Sequence, residues 1–167
     1  MSKMLVLYYS FEGTTQRIAE LIAGKIDADI AEVKPVKEIK TKGFFKYVLG
    51  GGQVVLKIKP ELKPLKVNLD DYETILLGSP IWAGTFTPPI LTLLERGYLK
   101  NKTIAYFYCH KGGADQAEEK AKAVIEKNNA YLSSFGCMNV PENFESLQAP
   151  VIAWAKRVIS KPSSAFE

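Results

Sequence analysis

The sequence predicts an α/β fold, an open parallel sheet covered by helices on both faces. Three observations predict it. Strand-length apolar runs alternate with helix-period segments through most of the 167 residues. Lys3–Tyr9 is a continuous apolar run, as in a strand buried on both faces, rather than the in–out alternation of a half-exposed one. Short turns rich in glycine and hydroxyl side chains follow the strands and lead into helices. Strands that alternate with helices build parallel sheets.

The elements follow in order. After Lys3–Tyr9, the residues Ile18, Leu21, Ile22 and Ile26 recur at helical spacing with Ala19 and Ala23 between them. Asp29–Val36 reads as a weaker second strand, Thr74–Ser79 as a third and Thr103–Cys109 as a fourth. Between the last two, Thr87-Pro88-Pro89 fits a helix start with a hydroxyl cap and proline in the first turn, and Ile90, Leu91 and Leu94 share a face. Ala114, Ala117, Ala121, Val124 and Ile125 mark a helix after strand four. A fifth strand lies within Ala130–Met138, and Val151, Ile152, Ala155, Val158 and Ile159 close the chain as a helix. Gly43–Lys59 carries an apolar face at helical spacing and is read as a helix, although Gly50-Gly51-Gly52 costs it about 1 kcal/mol per glycine. A turn followed by a strand over Gln53–Lys59 is the competing reading. The length suits one domain over residues 1–167.

Composition excludes several classes. Apolar residues make up 47% and charged residues 24%, a globular balance. No apolar run is long enough to cross a bilayer, and the first strand begins too early for a signal peptide, so a cytoplasmic location is expected. Cys109 and Cys137 form no CxxC motif, which argues against a disulfide framework or a cysteine metal site, and each reads as a small packed residue. The net charge of +4 is uneven: Lys34–Lys66 holds nine lysines and two glutamates, and the rest of the chain has an acidic excess of three. A basic segment of this kind is a solvated surface or a contact for an acidic partner.

Right-handed crossovers place the loops after the strands along one sheet edge, where ligands bind in open α/β folds. The loop after strand one is Ser10-Phe-Glu-Gly-Thr-Thr-Gln16. At a helix N-terminus, the backbone of Glu12 to Gln16 and the hydroxyls of Ser10, Thr14 and Thr15 could wrap a phosphate, although a simple capped turn uses the same residue types. GxGxxG after strand one and GxxxxGK[ST] are both missing. Strand three ends in Gly78-Ser79-Pro80 without an aspartate, and the loop that follows Cys109 holds no arginine, which argues against a receiver domain and a cysteine phosphatase. The loop after strand three, Gly78-Ser-Pro-Ile-Trp-Ala-Gly84, offers Trp82 to a flat ligand, or as a packing anchor. The loop after strand four contains Gly112-Gly113, where backbone can approach a ligand. His110, the only histidine, reads more simply as a loop residue than as a hydrogen-bonding partner of a ligand.

Together the three loops resemble the flavodoxin family, whose phosphate loop has the pattern [TS]-x-[TS]-G-x-T. Ser10-Phe-Glu-Gly-Thr-Thr15 matches it except at Glu12, and Gly78-Ser-Pro-Ile-Trp82 joins it in the same order along the chain. The resemblance implies a three-layer sandwich with a five-stranded parallel sheet in the order 2-1-3-4-5 and FMN at its edge. It implies that Ser10, Gly13, Thr14 and Thr15 hold the FMN phosphate with the backbone of Glu12 and Gln16. Trp82 would stack on the flavin ring within the Pro80-Ile81-Trp82-Ala83-Gly84 loop, with Ala83-Gly84 near flavin N5. Cys109, His110, Gly112 and Gly113 would line the pyrimidine end. Three departures accompany it: Glu12 replaces a hydroxyl and should turn to solvent, no tyrosine lies in the loop after strand four, and the protein is not acidic. Gly43–Leu65 resembles a variant in short flavodoxin-like proteins of anaerobic microbes.

The resulting expectation is an FMN electron carrier serving redox partner proteins, with Lys34–Lys66 steering an acidic one and no role for nucleic acid. The rival expectation is an FMN-dependent NAD(P)H or quinone oxidoreductase. A third is a flavin-free interaction domain that uses Lys34–Lys66 as its surface. Length favours the carrier, since little chain remains for a second substrate pocket, and flavin reduction with NAD(P)H turnover separates the three.

Overall fold

A computed structural model describes residues 3–37, 59–82, 84–112 and 114–161. The helix read over Gly43–Lys59 lies outside the described residues except at Lys59, as do Ala83 and Gly113 of the expected site.

The described elements are β1 (Lys3–Tyr8), α1 (Thr14–Ile26), β2 (Asp29–Glu32), a single 3-10 turn at Leu69–Asp71, β3 (Tyr72–Pro80), α2 (Pro88–Glu95), β4 (Thr103–His110), α3 (Ala117–Ile125), β5 (Ala130–Met138) and α4 (Val140–Ser160). All strand pairs are parallel, in the order β2-β1-β3-β4-β5. Residues of alternating parity along each strand feed two cores, as the two-residue strand period requires. Leu5, Leu7, Ile75, Leu77, Ile104 and Tyr106 meet Ile90, Leu93 and Leu94 of α2 and Ala121 and Ile125 of α3. On the other face, Val6, Leu76, Ala105 and Phe107 meet Ile18 and Ile22 of α1 and Val151, Trp154 and Val158 of α4. A buried Leu, Ile or Phe contributes roughly 1.5–3 kcal/mol over exposure, so both helix layers are held chiefly by these contacts.

The helix after strand four starts at Ala117 rather than Ala114 and β3 is longer than Thr74–Ser79, but two boundaries differ most from the sequence reading. The second strand ends at Glu32, not Val36, because the chain beyond Val33 leaves β1 for a different partner. Val33 still donates to the Tyr8 carbonyl at 2.7 Å, but Val36 donates to Glu61 O and Lys63 donates to Lys34 O, around an antiparallel bridge between Pro35 and Leu62. The last helix starts at Val140, eleven residues before the apolar positions used to predict it. Pro141 lies in its first turn, where its missing N–H has no intrahelical partner to lose. Pro150 lies within it and removes one ladder bond, yet the helix continues because its inner face stays anchored. Val140, Phe144 and Leu147 pack below Pro150, and the Arg17 guanidinium stacks 3.6 Å from the Phe144 ring centroid. Above it, Trp154 Nε1 donates to Ser133 Oγ at 3.1 Å.

The C-terminal edge of the sheet is stitched beyond its regular ladder. Tyr9 N–H donates to Gly78 O at 3.0 Å, Ile81 N–H to Cys109 O at 2.9 Å, and Asn139 N–H to His110 O at 2.8 Å. These bonds fix the starts of the loops after β1, β3, β4 and β5 relative to one another. Between β4 and β5 the register slips by one residue: Ile104 faces Tyr131, but Ala105 faces Ser133. No described helix is long and apolar enough to cross a membrane.

Candidate functional site

The loop after β1 bends into α1 through Gly13, which caps the helix at φ +84°. A side chain is strained there, so glycine lets the chain enter the helix without cost. Ser10 Oγ reaches over this bend and accepts the Gln16 N–H at 3.2 Å, and Arg17 N–H makes the first helical bond to Gly13 O at 3.0 Å. The N–H groups of Thr14 and Thr15 precede that bond and have no intrahelical acceptor, and the first turn of α1 carries no acidic residue. The loop is therefore a positive, N–H-lined helix start suited to an anion. Thr15 is fully buried, and its Oγ1 has no hydrogen-bond partner. The neighbouring Cys109 thiol, a weak hydrogen-bonding group, senses this hydroxyl without taking the place of an oxygen partner. A buried hydroxyl in this state, shared among the described residues by Tyr106 Oη, keeps unused capacity that a ligand oxygen could take up.

The second loop presents Trp82. Its N–H donates to Thr85 O at 3.0 Å and its carbonyl accepts Thr85 N–H at 3.1 Å, closing a four-residue turn in which Gly84 takes φ +73°. The indole stands nearly perpendicular to two other rings, Tyr9 at 5.9 Å and 87° and Phe11 at 5.2 Å and 84° between centroids and planes. Behind the turn, Ser79 Oγ donates to Pro80 O at 2.8 Å and lies 3.1 Å from Thr87 Oγ1, tying the loop to the start of α2.

The third loop begins at His110, the last residue of β4. Its Nδ1 accepts the Gly112 N–H at 3.2 Å, which assigns the ring proton to Nε2 in the neutral form. Burial holds the imidazole below its ordinary pKa, against a smaller opposing pull from Asp115, so the neutral form prevails at pH 7.

These loops enclose one cavity of about 400 Å³, lined by Phe11, Glu12, Thr14, Pro80, Ile81, Trp82, Cys109, His110, Lys111, Gly112, Val140 and Pro141. Its size lies within the roughly 300–1,000 Å³ range of small-molecule sites. Of the residues expected from the sequence, Glu12, Thr14, Pro80, Ile81, Trp82, Cys109, His110 and Gly112 line it directly. Ser10, Gly13, Thr15 and Gln16 build the helix start beside it, and Gly84 belongs to the Trp82 turn. Glu12 is exposed, as expected, but it still forms part of the cavity wall. Four wall residues went unpredicted: Phe11, Lys111, Val140 and Pro141. A signal for the last two was present, since strand five ends on the same edge as the other strands and Pro141 marks a helix start there. Among the described residues, no cluster of three or more His, Cys, Asp or Glu side chains could hold a metal ion.

Known proteins agree with this architecture. The fold is similar to that of a candidate flavoprotein from Bacteroides eggerthii, at 22% identity over 96% of this chain and 100% of that one, with a TM-score of 0.73. It is similar to a flavoprotein from Lactobacillus acidophilus crystallised in complex with FMN, at 24% identity over 87% and 99% of the two chains, TM-score 0.66. It is also similar to oxidised flavodoxin 2 from Bacillus cereus, at 20% identity over 96% and 99%, TM-score 0.61. At these identities, the three structures speak for the fold. A family model described as flavodoxin matches residues 3–139, and the chain belongs to the flavodoxin family.

Proposed function

We propose that this chain binds FMN in the cavity at the sheet edge and carries electrons between redox proteins. The observation that carries the reading is the unpartnered, fully buried Thr15 hydroxyl at an acid-free helix start, beside a cavity walled by Trp82. A phosphate fits the first feature and a planar ring the second. Family membership and the FMN held by the Lactobacillus acidophilus protein support the choice of cofactor. Bound FMN supplies the electron chemistry, taking up and releasing one or two electrons, and the protein supplies position and electrostatics.

Ser10, Gly13, Thr14 and Thr15 would hold the phosphate with the backbone N–H groups from Glu12 to Gln16. The present bond from Gln16 N–H to Ser10 Oγ keeps that loop shaped before the anion arrives. Trp82, held by Tyr9 and Phe11, would orient the ring, with the Pro80–Gly84 turn along its edge and Cys109, His110, Gly112 and Gly113 at the far end. His110 Nε2–H offers a proton donor at the wall without a positive charge. Pro80, Ile81, Val140 and Pro141 would give a bound ring an apolar wall, to which Lys111 adds one cation. The partners proposed are redox proteins, including acidic ones. Two described lysines of the basic stretch already serve internal ion pairs, Lys34 with Glu32 at 3.1 Å and Lys59 with Glu95 at 2.6 Å.

The test is an FMN titration of flavin-free protein, then anaerobic reductive titration and an assay with NAD(P)H and a quinone. The carrier reading expects stoichiometric FMN binding, reversible reduction and negligible NAD(P)H turnover. Sustained NAD(P)H-to-quinone turnover would replace the carrier with an oxidoreductase. Protein that ignores FMN would overturn both redox readings.

A further inference from the structure

We propose that Cys109 and Cys137 form a redox-active dithiol that a hydroperoxide, entering through the cavity, oxidises to a reversible intramolecular disulfide. The two residues are register partners on the adjacent parallel strands β4 and β5, and both are free thiols. Both side chains pack on the α1–α4 face of the sheet, so they point the same way. Neighbouring strands lie about 4.7–4.9 Å apart, within the Cα separation of about 4.4–6.8 Å that a disulfide accepts. The bond also wants its Cβ atoms about 3.8 Å apart, closer than flat strands hold them, so β4 and β5 must pinch together. The pair stands one residue from the ends of both strands, where such a shift disturbs little of the ladder. A bridge formed under strain is correspondingly easy to reduce.

The two thiols are not equivalent. Cys109 lines the cavity, whereas Cys137 is completely buried. Hydrogen bonding from Cys137, with a smaller pull from the nearby Thr15 hydroxyl, holds the Cys109 thiol below its ordinary pKa against the opposing effect of burial. Cys137 is pushed far up by the same partnership and by burial. Cys109 is therefore the attacking thiolate and Cys137 the resolving thiol. The Cys109 thiolate attacks the terminal peroxide oxygen, the O–O bond breaks, and the other oxygen leaves as hydroxide from hydrogen peroxide, or as alkoxide from an organic hydroperoxide, and is protonated to water or an alcohol, giving Cys109 sulfenic acid. Cys137 sulfur then attacks the Cys109 sulfur, the S–O bond breaks, and the sulfenic oxygen leaves as water with the Cys137 proton. Two thiols lose two electrons in total, and one peroxide gains them.

The experiment treats flavin-free protein with hydrogen peroxide and follows thiol count, intact mass and the peptide map. Wild-type protein should lose both thiols and about 2 Da, remain monomeric on a non-reducing gel, yield a Cys109–Cys137 linked peptide, and recover with dithiothreitol. Cys137→Ser should stop at a sulfenic acid trapped by dimedone, and Cys109→Ser should keep its remaining thiol. Retention of both thiols, oxygen addition without the mass loss, or cross-linking between chains would overturn the proposal. The wild-type mass and peptide map decide the matter alone if either variant fails to fold. One further arm rests on the FMN reading: saturating FMN should slow thiol loss about tenfold by filling the route to Cys109. Unchanged oxidation in protein that demonstrably quenches FMN fluorescence would refute entry through the cavity. Absence of quenching bears on the cofactor alone, because the dithiol result needs no flavin.

Discussion

Replacing Thr15 with valine should stabilise the free protein and weaken its hold on FMN, two effects of opposite sign from one atom. Thr15 is fully buried and its Oγ1 lacks a hydrogen-bond partner. Leaving such a group unsatisfied costs about 1–3 kcal/mol, and a methyl group of similar size carries no such cost. Valine and threonine have similar helix propensities, so the first turn of α1 should not change for that reason. Taking the lower end, a gain of about 1 kcal/mol raises the melting temperature by about 2–4 °C for a chain of this size. With FMN the balance reverses, because a hydroxyl bonded to a charged phosphate is worth about 1.5–3 kcal/mol. The dissociation constant should then rise about 10- to 100-fold. Thermal unfolding of the flavin-free protein and quenching of FMN fluorescence measure the two effects separately. A variant no more stable than wild type, with unchanged FMN affinity, would show that the hydroxyl is neither orphaned in the free protein nor a phosphate ligand.

Other perturbations test other parts of the fold and site. Trp82→Ala should weaken FMN binding and shift its reduction potential; unchanged values of both would remove Trp82 from the stack. Gly78→Ala should destabilise the protein by roughly 1–3 kcal/mol in urea unfolding, because a Cβ there would sit 2.2 Å from Phe107 Cζ in a fully buried ring. A change below about 0.5 kcal/mol would mean that Phe107 moves freely, contrary to close packing. Tyr72 Oη donates to Asp29 Oδ2 at 2.7 Å, which pushes the phenol from 10.0 up to about 12. Because the folded pKa is the higher one, this contribution is whole below pH 10 and is lost as pH rises toward about 12. Tyr72→Phe should flatten the fall of stability across that window. Tyr8 and Tyr131, both also raised to about 12, should leave some slope behind. An identical slope in the variant would show that the Asp29 bond does not persist in solution.

Much of the fold was legible because it depends on local period. Continuous apolar runs mark strands covered on both faces, and Ile18, Leu21, Ile22 and Ile26 mark the buried stripe of α1. The first half of α4 was legible in principle, since Val140, Phe144, Leu147 and Val151 keep helical spacing. Pro141 and Pro150 obscure it, and only packing against α1 shows that the helix survives the lost bond. The second strand was overextended because β propensity at Val33 and Val36 says nothing about which partner the chain will pair with.

In the site, the glycines and hydroxyls after β1 announce a turn into a helix from the sequence alone, since those residue types serve that backbone shape and few others. The aromatic support of Trp82 could not be read there. Tyr9 and Phe11 reach it only because β1 and β3 lie side by side, with Tyr9 N–H on the Gly78 carbonyl. The cysteines make the division sharpest. Each reads in the sequence as a small packed residue with no partner. The slip between Ile104 and Ala105 sets Cys109 opposite Cys137; an unbroken register would set it opposite Gly136 and turn Cys137 to the other face. Sequence period determines which residues are buried, but the strand register, fixed by packing across the whole sheet, decides which of them meet.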